Sequence, residues 1–364
     1  MLIFLSIILI LVVAVYVFMQ QEMFGRRPSG ERMELIKRSP NYRDGKFQNL
    51  TETPSLTDGA TFFSVLYDFM FKKNKNATPP MPIPSQKTDL LDLKTDEDVL
   101  VWFGHSSYFM QVDGKKILVD PVLSGHASPL SFTTKSFKGT DVYTTDDIPD
   151  IDYLFISHDH WDHLDHQTIM KLKPRIKKII TGLGTGAHFE RWGFDMQTII
   201  EKDWNEEVKL NDGFTVNTVP GRHFSGRGLK REQAIWVSFV FTTPTMKIFI
   251  GGDSGYDTHF TEIGKRFGPF DLAILECGQY NKSWKYIHMM PEEVVQAGID
   301  LGAKKIMPVH WGKFMLAPHN WDEPIRRFVK AAKEKDFPVV HPMIGEKVEL
   351  KNIKAATAWW ETVS

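Results

Sequence analysis

Leu154-Phe155-Ile156-Ser157-His158-Asp159-His160-Trp161-Asp162-His163-Leu164-Asp165 runs an apolar stretch straight into a cluster of imidazoles and carboxylates. In extended backbone side chains alternate with period two, so His158 and His160 point the same way. A turn at Trp161 then swings Asp162 and His163 toward a second point nearby. One short loop therefore offers ligands for two metals. Imidazole with carboxylate, and no thiolate, suits Zn²⁺ or a similar borderline ion. The competing reading, a surface loop that is His-rich by chance, is disfavoured by this spacing at the end of a strand.

Two metals need further ligands, and later strand ends supply candidates. His223 follows Phe214–Val219 in Pro220-Gly221-Arg222-His223, and Asp253 follows Lys247–Ile250 in Gly251-Gly252-Asp253-Ser254-Gly255. His310 follows Ile306–Val309 in Pro308-Val309-His310-Trp311-Gly312. At such positions buried strands hand over to functional loops. Each residue alone reads as an ordinary structural histidine or turn aspartate; beside the first motif, ligation is the better reading. Asp120, ending Lys116–Val119, is placed to accept the second N–H of a ligating histidine. His105 stays open between a core position and the same backing role. His126, His166, His188, His259, His319 and His341 read as ordinary.

Outward from the motif, β-like runs bounded by turns begin near Asp98. They are Val99–Phe103, Tyr108–Val112, Lys116–Val119, Tyr153–Ser157, Phe214–Val219, Ile235–Thr242, Lys247–Ile250, Leu272–Glu276 and Ile306–Val309. Helical patterns fall at Pro291–Leu301, with Glu292 and Glu293 in the first turn, and at Trp321–Lys335. Together they predict an α/β fold, an αββα sandwich of two mixed β-sheets flanked by helices. The domain division is an N-terminal anchor (1–20), a polar extension (21–97), the catalytic domain (98–350) and a C-terminal tail (351–364). Within the extension, Thr61 to Phe71 is amphipathic and is read as packing on the body in preference to lying on a membrane. Two look-alikes are set aside. Gly182-x-Gly184-x-Gly186 lacks the spacing and following helix of a dinucleotide loop, and Ser254 lacks a G-x-S-x-G frame.

The 364 residues are 42% hydrophobic and 24% charged, ample for a sizeable core. A net charge of −1, with no basic stripe interleaved with aromatics, argues against nucleic acid as a partner. Cys277 is the only cysteine, which excludes an intrachain disulfide framework. Met1 to Met19 carries no charged side chain, and about 20 apolar helical residues span a bilayer core. This run is read as an uncleaved transmembrane helix. A cleaved signal peptide is the weaker reading, because no basic segment precedes the run and no small-x-small site precedes Gln20-Gln21. Arg26, Arg27, Arg32, Lys37, Arg38 and Arg43 just beyond it then predict a single-pass membrane protein with its catalytic domain in the cytoplasm.

The order His-x-His-x-Asp-His, His, Asp, His resembles the metallo-β-lactamase superfamily. Trp102-Phe103-Gly104-His105-Ser106-Ser107, Asp120-Pro121, Pro220-x-x-His223-Phe224-Ser225, Gly252-Asp253-Ser254-Gly255-Tyr256, Tyr286-x-His288-Met289-x-Pro291-Glu292-Glu293 and His310-Trp311-Gly312-Lys313-Phe314 carry a narrower likeness. They resemble the N-acyl-phosphatidylethanolamine-hydrolysing phospholipase D group and its bacterial relatives, over roughly residues 98 to 345. The resemblance implies two Zn²⁺: one on His158, His160 and His223, the other on Asp162, His163 and His310, with Asp253 bridging. It implies a metal-bridging hydroxide as nucleophile on the head-group phosphodiester of N-acyl-phosphatidylethanolamine-like phospholipids. Asp162, Asp253 and His288 are then the catalytic candidates. His288 would assist the leaving group or contact phosphate, unless it sits in a loop outside the pocket. Membrane phospholipid would be the substrate, met through a bilayer contact at residues 1–20. Fold does not fix substrate, so a same-fold zinc hydrolase of a lactone, lactam or soluble phosphodiester is the second reading. A non-catalytic, membrane-tethered metal-binding protein is a third, against which the intact ligand set argues.

Overall fold

In the computed structural model the described residues are all but 58, 73, 354–356 and 364, four of which belong to the expected C-terminal tail. The chain opens with α1 (Leu2–Met19), α2 (Gly30–Arg38), a hairpin of β1 (Tyr42–Arg43) and β2 (Lys46–Phe47), and α3 (Phe62–Phe71). The body follows as β3 (Val99–Trp102), β4 (Tyr108–Val112), β5 (Lys115–Val119), β6 (Ile151–Ile156), α4 (His166–Leu172), β7 (Ile176–Gly182), α5 (Gly186–Arg191) and β8 (Ile199–Lys202). Its second part is β9 (Glu207–Lys209), β10 (Thr215–Val219), β11 (Ser238–Thr242), β12 (Lys247–Ile250), α6 (His259–Phe267), β13 (Leu272–Glu276), α7 (Pro291–Asp300), β14 (Ile306–Val309), α8 (Glu323–Glu334) and β15 (Lys347–Glu349).

These strands make two mixed sheets. One has the order β15-β3-β4-β5-β6-β7-β8, the other β14-β13-β12-β11-β10-β9. In the first, β5 to β8 run parallel; in the second, β12 to β14 do, with α6 and α7 as crossovers. Strands covered on both faces read as unbroken apolar runs, as Leu272–Leu275 and Ile306–Val309 do. Phe155 from the first sheet meets Phe239 and Phe241 from the second at 5.0 and 5.4 Å between ring centroids. That places the main core between the sheets. A second core lies where Ile169, Leu172 and Phe189 of α4 and α5 cover Leu118, Leu154 and Ile179. On the far side Val294, Ile325 and Phe328 of α7 and α8 join the main core. The layers are helix, sheet, sheet, helix, as the strand pattern predicts.

The transmembrane anchor is corrected. No helix among the described residues is long and apolar enough to cross a membrane. The expected single-pass placement, with the catalytic domain held in the cytoplasm by that anchor, falls with it. The physical reason is length. At 18 residues and 1.5 Å each, α1 spans about 27 Å, against roughly 30 Å of hydrocarbon core. Its C-terminal end is also committed to the body: Phe18 meets Phe24 edge-on at 5.3 Å, and Arg191 donates to the carbonyl of Gln20 at 2.6 Å. The stretch at α3 differs from expectation as well. It buries no residue; Phe62, Phe63 and Phe71 are exposed, while Phe69 stacks on Trp284.

Candidate metal centre

β6 ends at Ile156, and Ser157 to Asp165 turns across the strand ends of both sheets, where His223, Asp253 and His310 also lie. His160 Nδ1 sits 2.9 Å from His158 Nε2 and 3.2 Å from His223 Nε2. Tetrahedral ligands at 2.0–2.1 Å from zinc would stand about 3.3 Å apart, so this spacing is that of donors around one small cation. His163 Nε2 and His310 Nε2 form a second cluster, each 3.2 Å from Asp253 Oδ2 and 3.6 and 3.2 Å from Asp162 Oδ2. The same Asp253 oxygen is 3.8 Å from His158 Nε2 and 3.6 Å from His223 Nε2. One carboxylate oxygen therefore faces both clusters.

The sequence-predicted ligands thus come together in two groups able to hold metal. One is His158, His160, His223 and Asp253; the other is Asp162, His163 and His310 with His105 added. His288 joins Asp253 and His310 in a third grouping, its ring 5.0 Å from His223 and 5.1 Å from His310. It lies inside the site. Two observations say that these donors fit a cation. His163 Nε2 and Asp253 Oδ1 are buried with no hydrogen-bond partner, and such atoms cost free energy unless something satisfies them. All the donors are imidazole or carboxylate, which suits zinc or a neighbouring transition metal.

Charge in the cluster is polarised. Burial, with neighbouring imidazoles, holds His158 well below its ordinary pKa and His160 down at about 3. Burial likewise lowers His223 to about 3 and His288 to about 4. Burial also opposes charge on His163 and His310, yet Asp253 and Asp162 outweigh it. They hold His163 well above its usual value and bring His310 to about 10. Burial also lowers His105, beside Asp162, to about 3, so the imidazoles favoured to carry charge are His163 and His310, each 3.2 Å from Asp253 Oδ2.

Outer contacts fix the ligands. Asp120 Oδ2 is 2.8 Å from His163 Nδ1, and Asp120 accepts from the Ser157 backbone at 2.8 Å and the Ser157 hydroxyl at 2.6 Å. Asp120 is thus where the sequence put it, behind a ligand. His105 proves to be a backing residue as well, its Nε2 2.9 Å from Asp162 Oδ2. His105 and His310 both have positive φ, at 54° and 68°, a conformation uncommon for non-glycine residues. Reciprocal backbone bonds hold them there: His105 N–H donates to Trp311 O, and His310 N–H to His105 O, both at 2.9 Å.

Four contributors were missed in the sequence. Asp159, between two ligands, points the other way, accepting from Gly226 N at 2.6 Å and pairing with His188 Nε2 at 3.0 Å. His188 in turn takes the Arg26 backbone N–H on Nδ1 at 3.2 Å. Arg227, 4% exposed, donates to the carbonyls of Asp159 and Leu164 in the loop and of Met23 in the N-terminal segment. Its guanidinium lies 3.9 Å from the Trp161 ring centroid, a cation–π contact. Glu276, fully buried at the end of β13, accepts from Met289 N and faces His288 and His310; burial pushes its carboxyl well above the usual range. Only Glu276 left a signal, as the one charge closing an otherwise apolar strand.

Residues 115–311 match the model of the beta-lactamase superfamily domain family. An uncharacterised protein of Mycobacterium tuberculosis is 37% identical over 330 residues, covering 90% of this chain and 88% of that one. N-acyl-phosphatidylethanolamine-hydrolyzing phospholipase D 1 of Caenorhabditis elegans is 31% identical over 227 residues, 59% of this chain and 64% of its own. Among solved structures, a metallo hydrolase from Ignicoccus hospitalis superposes with a TM-score of 0.54 at 22% identity, over 69% of this chain and 97% of that one. That match speaks for the fold alone. With the buried histidine–aspartate clusters at the strand ends, these likenesses place the chain in the metallo-β-lactamase superfamily, as a metal-dependent hydrolase with N-acyl-phosphatidylethanolamine-hydrolysing phospholipases D among its relatives.

Proposed function

We propose that this chain is a dinuclear zinc phosphodiesterase of phospholipase D type, acting on the head-group phosphodiester of N-acyl-phosphatidylethanolamine-like phospholipids. The observation that carries the reading is the position of Asp253 Oδ2, within 3.2 to 3.8 Å of four imidazole nitrogens divided between two clusters. His158, His160 and His223 would hold one ion and Asp162, His163 and His310 the other, with Asp253 between. Bound there, two ions supply Lewis acidity toward phosphoryl oxygens and acidify a water.

The chain's own residues do the rest. Asp120 and Ser157 orient the imidazoles of His163 and His158, and His105 steadies Asp162. His288, beside Asp253 and His310, is placed to contact phosphate or deliver a proton to the departing alkoxide. A groove of about 780 Å³ lies behind the ligand loop, lined by Asp159 and by none of the candidate ligands. Leu11, Val12 and Val15 of α1 give it an apolar wall, and Arg27, Lys230 and Asp159 line its polar parts. The phospholipase D names among the relatives support the bond type.

The test is a head-group screen on defined phospholipid vesicles, with metal analysis of the same preparation. Release of phosphatidic acid from N-acylated phosphatidylethanolamine, with two zinc ions per chain, is the expected result. Turnover of a lactone or a soluble phosphodiester without that release would replace this reading with the broader hydrolase one.

A further inference from the structure

His223 stands outside regular structure: β10 ends at Val219, and among the described residues neither the His223 N–H nor its C=O has a backbone partner. The residue is 1% exposed, and buried main-chain groups need partners. One side chain satisfies both. Asn49 Nδ2 donates to the His223 carbonyl at 2.8 Å, and Asn49 Oδ1 accepts the His223 N–H at 3.1 Å. A carboxamide offers a donor and an acceptor side by side, so it grips one residue as a facing residue does in an antiparallel ladder.

Asn49 is itself held. It follows the β1–β2 hairpin, whose Phe47 is fully buried in the main core and donates its N–H to the Glu232 carbonyl at 2.9 Å. Beyond it, the Glu52 carbonyl and the Thr53 hydroxyl accept from the Arg222 guanidinium at 2.9 and 3.0 Å. Arg222 also donates its backbone N–H to Ser254 Oγ at 2.8 Å and accepts the Gly255 N–H at 2.9 Å. Arg222 and His223 are therefore clamped between residues 49–53 on one side and the segment just after Asp253 on the other. A segment that merely covered the core would need Phe47. It would have no use for both backbone groups of a single ligand candidate.

We propose that Asn49 is a positioning residue for the metal centre: its carboxamide fixes the backbone of His223, and with it the place of Nε2 beside His158 and His160. This rests on the proposed part of His223 as a ligand. Ligands must be held within about 0.5 Å of the productive geometry, and His223 Nε2 stands 3.2 Å from His160 Nδ1. The polar extension before residue 98 thus supplies framework to the site, although it lies outside residues 115–311 that match the superfamily domain.

The test is a zinc titration of the full-length protein in competition with a chelating dye, run first on the natural protein and on His223→Ala. The step that His223→Ala abolishes is the one His223 serves. Asn49→Ala should weaken that step about 10- to 100-fold, the usual size of a lost backing contact, and leave the other step in place. Asn49→Asp keeps the size and the acceptor but turns an oxygen toward the His223 carbonyl. It should weaken the same step, and it decides the matter if the alanine variant does not fold. Equal weakening of both steps would mean that Asn49 braces the fold and not the ligand, which overturns the proposal. So does a step that His223→Ala removes and a folded Asn49 variant leaves untouched; the ligand assignment survives that result. If His223→Ala leaves both steps intact, the ligand assignment fails and this proposal fails with it.

Discussion

The two halves of the candidate metal centre are built from similar ligands but backed differently. Behind His158 and His223 stand neutral acceptors: the Ser157 hydroxyl, 3.0 Å from His158 Nδ1, and the Ile287 carbonyl, 2.9 Å from His223 Nδ1. Behind His163 stands the Asp120 carboxylate, and Asp162 is held by His105. His160, in the first half, is also the one metal-ligand candidate that reaches partial exposure. A carboxylate behind an imidazole raises its basicity and fixes its tautomer more firmly than a neutral oxygen does. The half of Asp162, His163 and His310 should therefore bind its ion more tightly, and the half of His158, His160 and His223 should be the exchangeable one facing substrate.

Asp253→Ala is the variant that removes the contrast altogether. Its Oδ2 faces both clusters, so on the proposed dinuclear reading zinc content should fall from two toward zero. Activity should drop roughly 10³-fold or more, since several kcal/mol of electrostatic stabilisation go at about 1.4 kcal/mol per tenfold. Retention of both ions would mean that Asp253 does not bridge. Asp120→Asn is the next in size. It should weaken the tight step of a zinc titration about 10- to 100-fold while leaving the weak step nearly in place, as read by competition with a chelating dye. If the weak step moves instead, the assignment of the tighter half is reversed.

How much of this was legible follows the same division between strand and contact. The ligand loop could be read because alternation fixes His158 and His160 on one side of an extended backbone. His223, Asp253 and His310 could be read because each ends an apolar strand. β7 was obscured by Lys177 and Lys178 within Ile176–Gly182, where the apolar run shrinks to Ile179-Ile180. β8 is half-buried along its whole length and carries Glu201 and Lys202, so it shows no alternation. Glu201 Oε1 there accepts the backbone N–H groups of Gly184 and Gly186. That explains the glycine-rich stretch set aside as a false dinucleotide loop: its donors already hold the protein's own carboxylate. Arg227, Asp159 and His188 were illegible because their partners lie far away in sequence, Met23 and Arg26 included. The anchor was misread because apolarity was plain in Met1–Met19, while the helix's end and its commitment to the body were not.

Arg227→Ala probes the first half from behind. It strips donors from the carbonyls of Asp159, Leu164 and Met23 and removes the ring contact with Trp161. A loss of roughly 2–4 kcal/mol of stability is expected, since unsatisfied buried groups cost about 1–3 kcal/mol each and relaxation recovers part of that. Denaturant unfolding of the zinc-loaded protein would show it. If stability is unchanged, the N-terminal segment does not brace the metal loop.

Ser157→Ala should have the smallest effect and the sharpest meaning. The Ser157 hydroxyl donates to Asp120 and lies 3.0 Å from His158 Nδ1 and 3.3 Å from His163 Nδ1, but His163 has the shorter 2.8 Å contact with the Asp120 carboxylate. Deleting it removes a neutral hydrogen bond from the first half, worth about 1 kcal/mol or under tenfold in affinity. The weak zinc step should loosen by that amount and the tight step should hold. Were Ser157→Ala and Asp120→Asn to weaken the same step, the serine, aspartate and both histidines would form one shared network, and the two halves would not be separately backed.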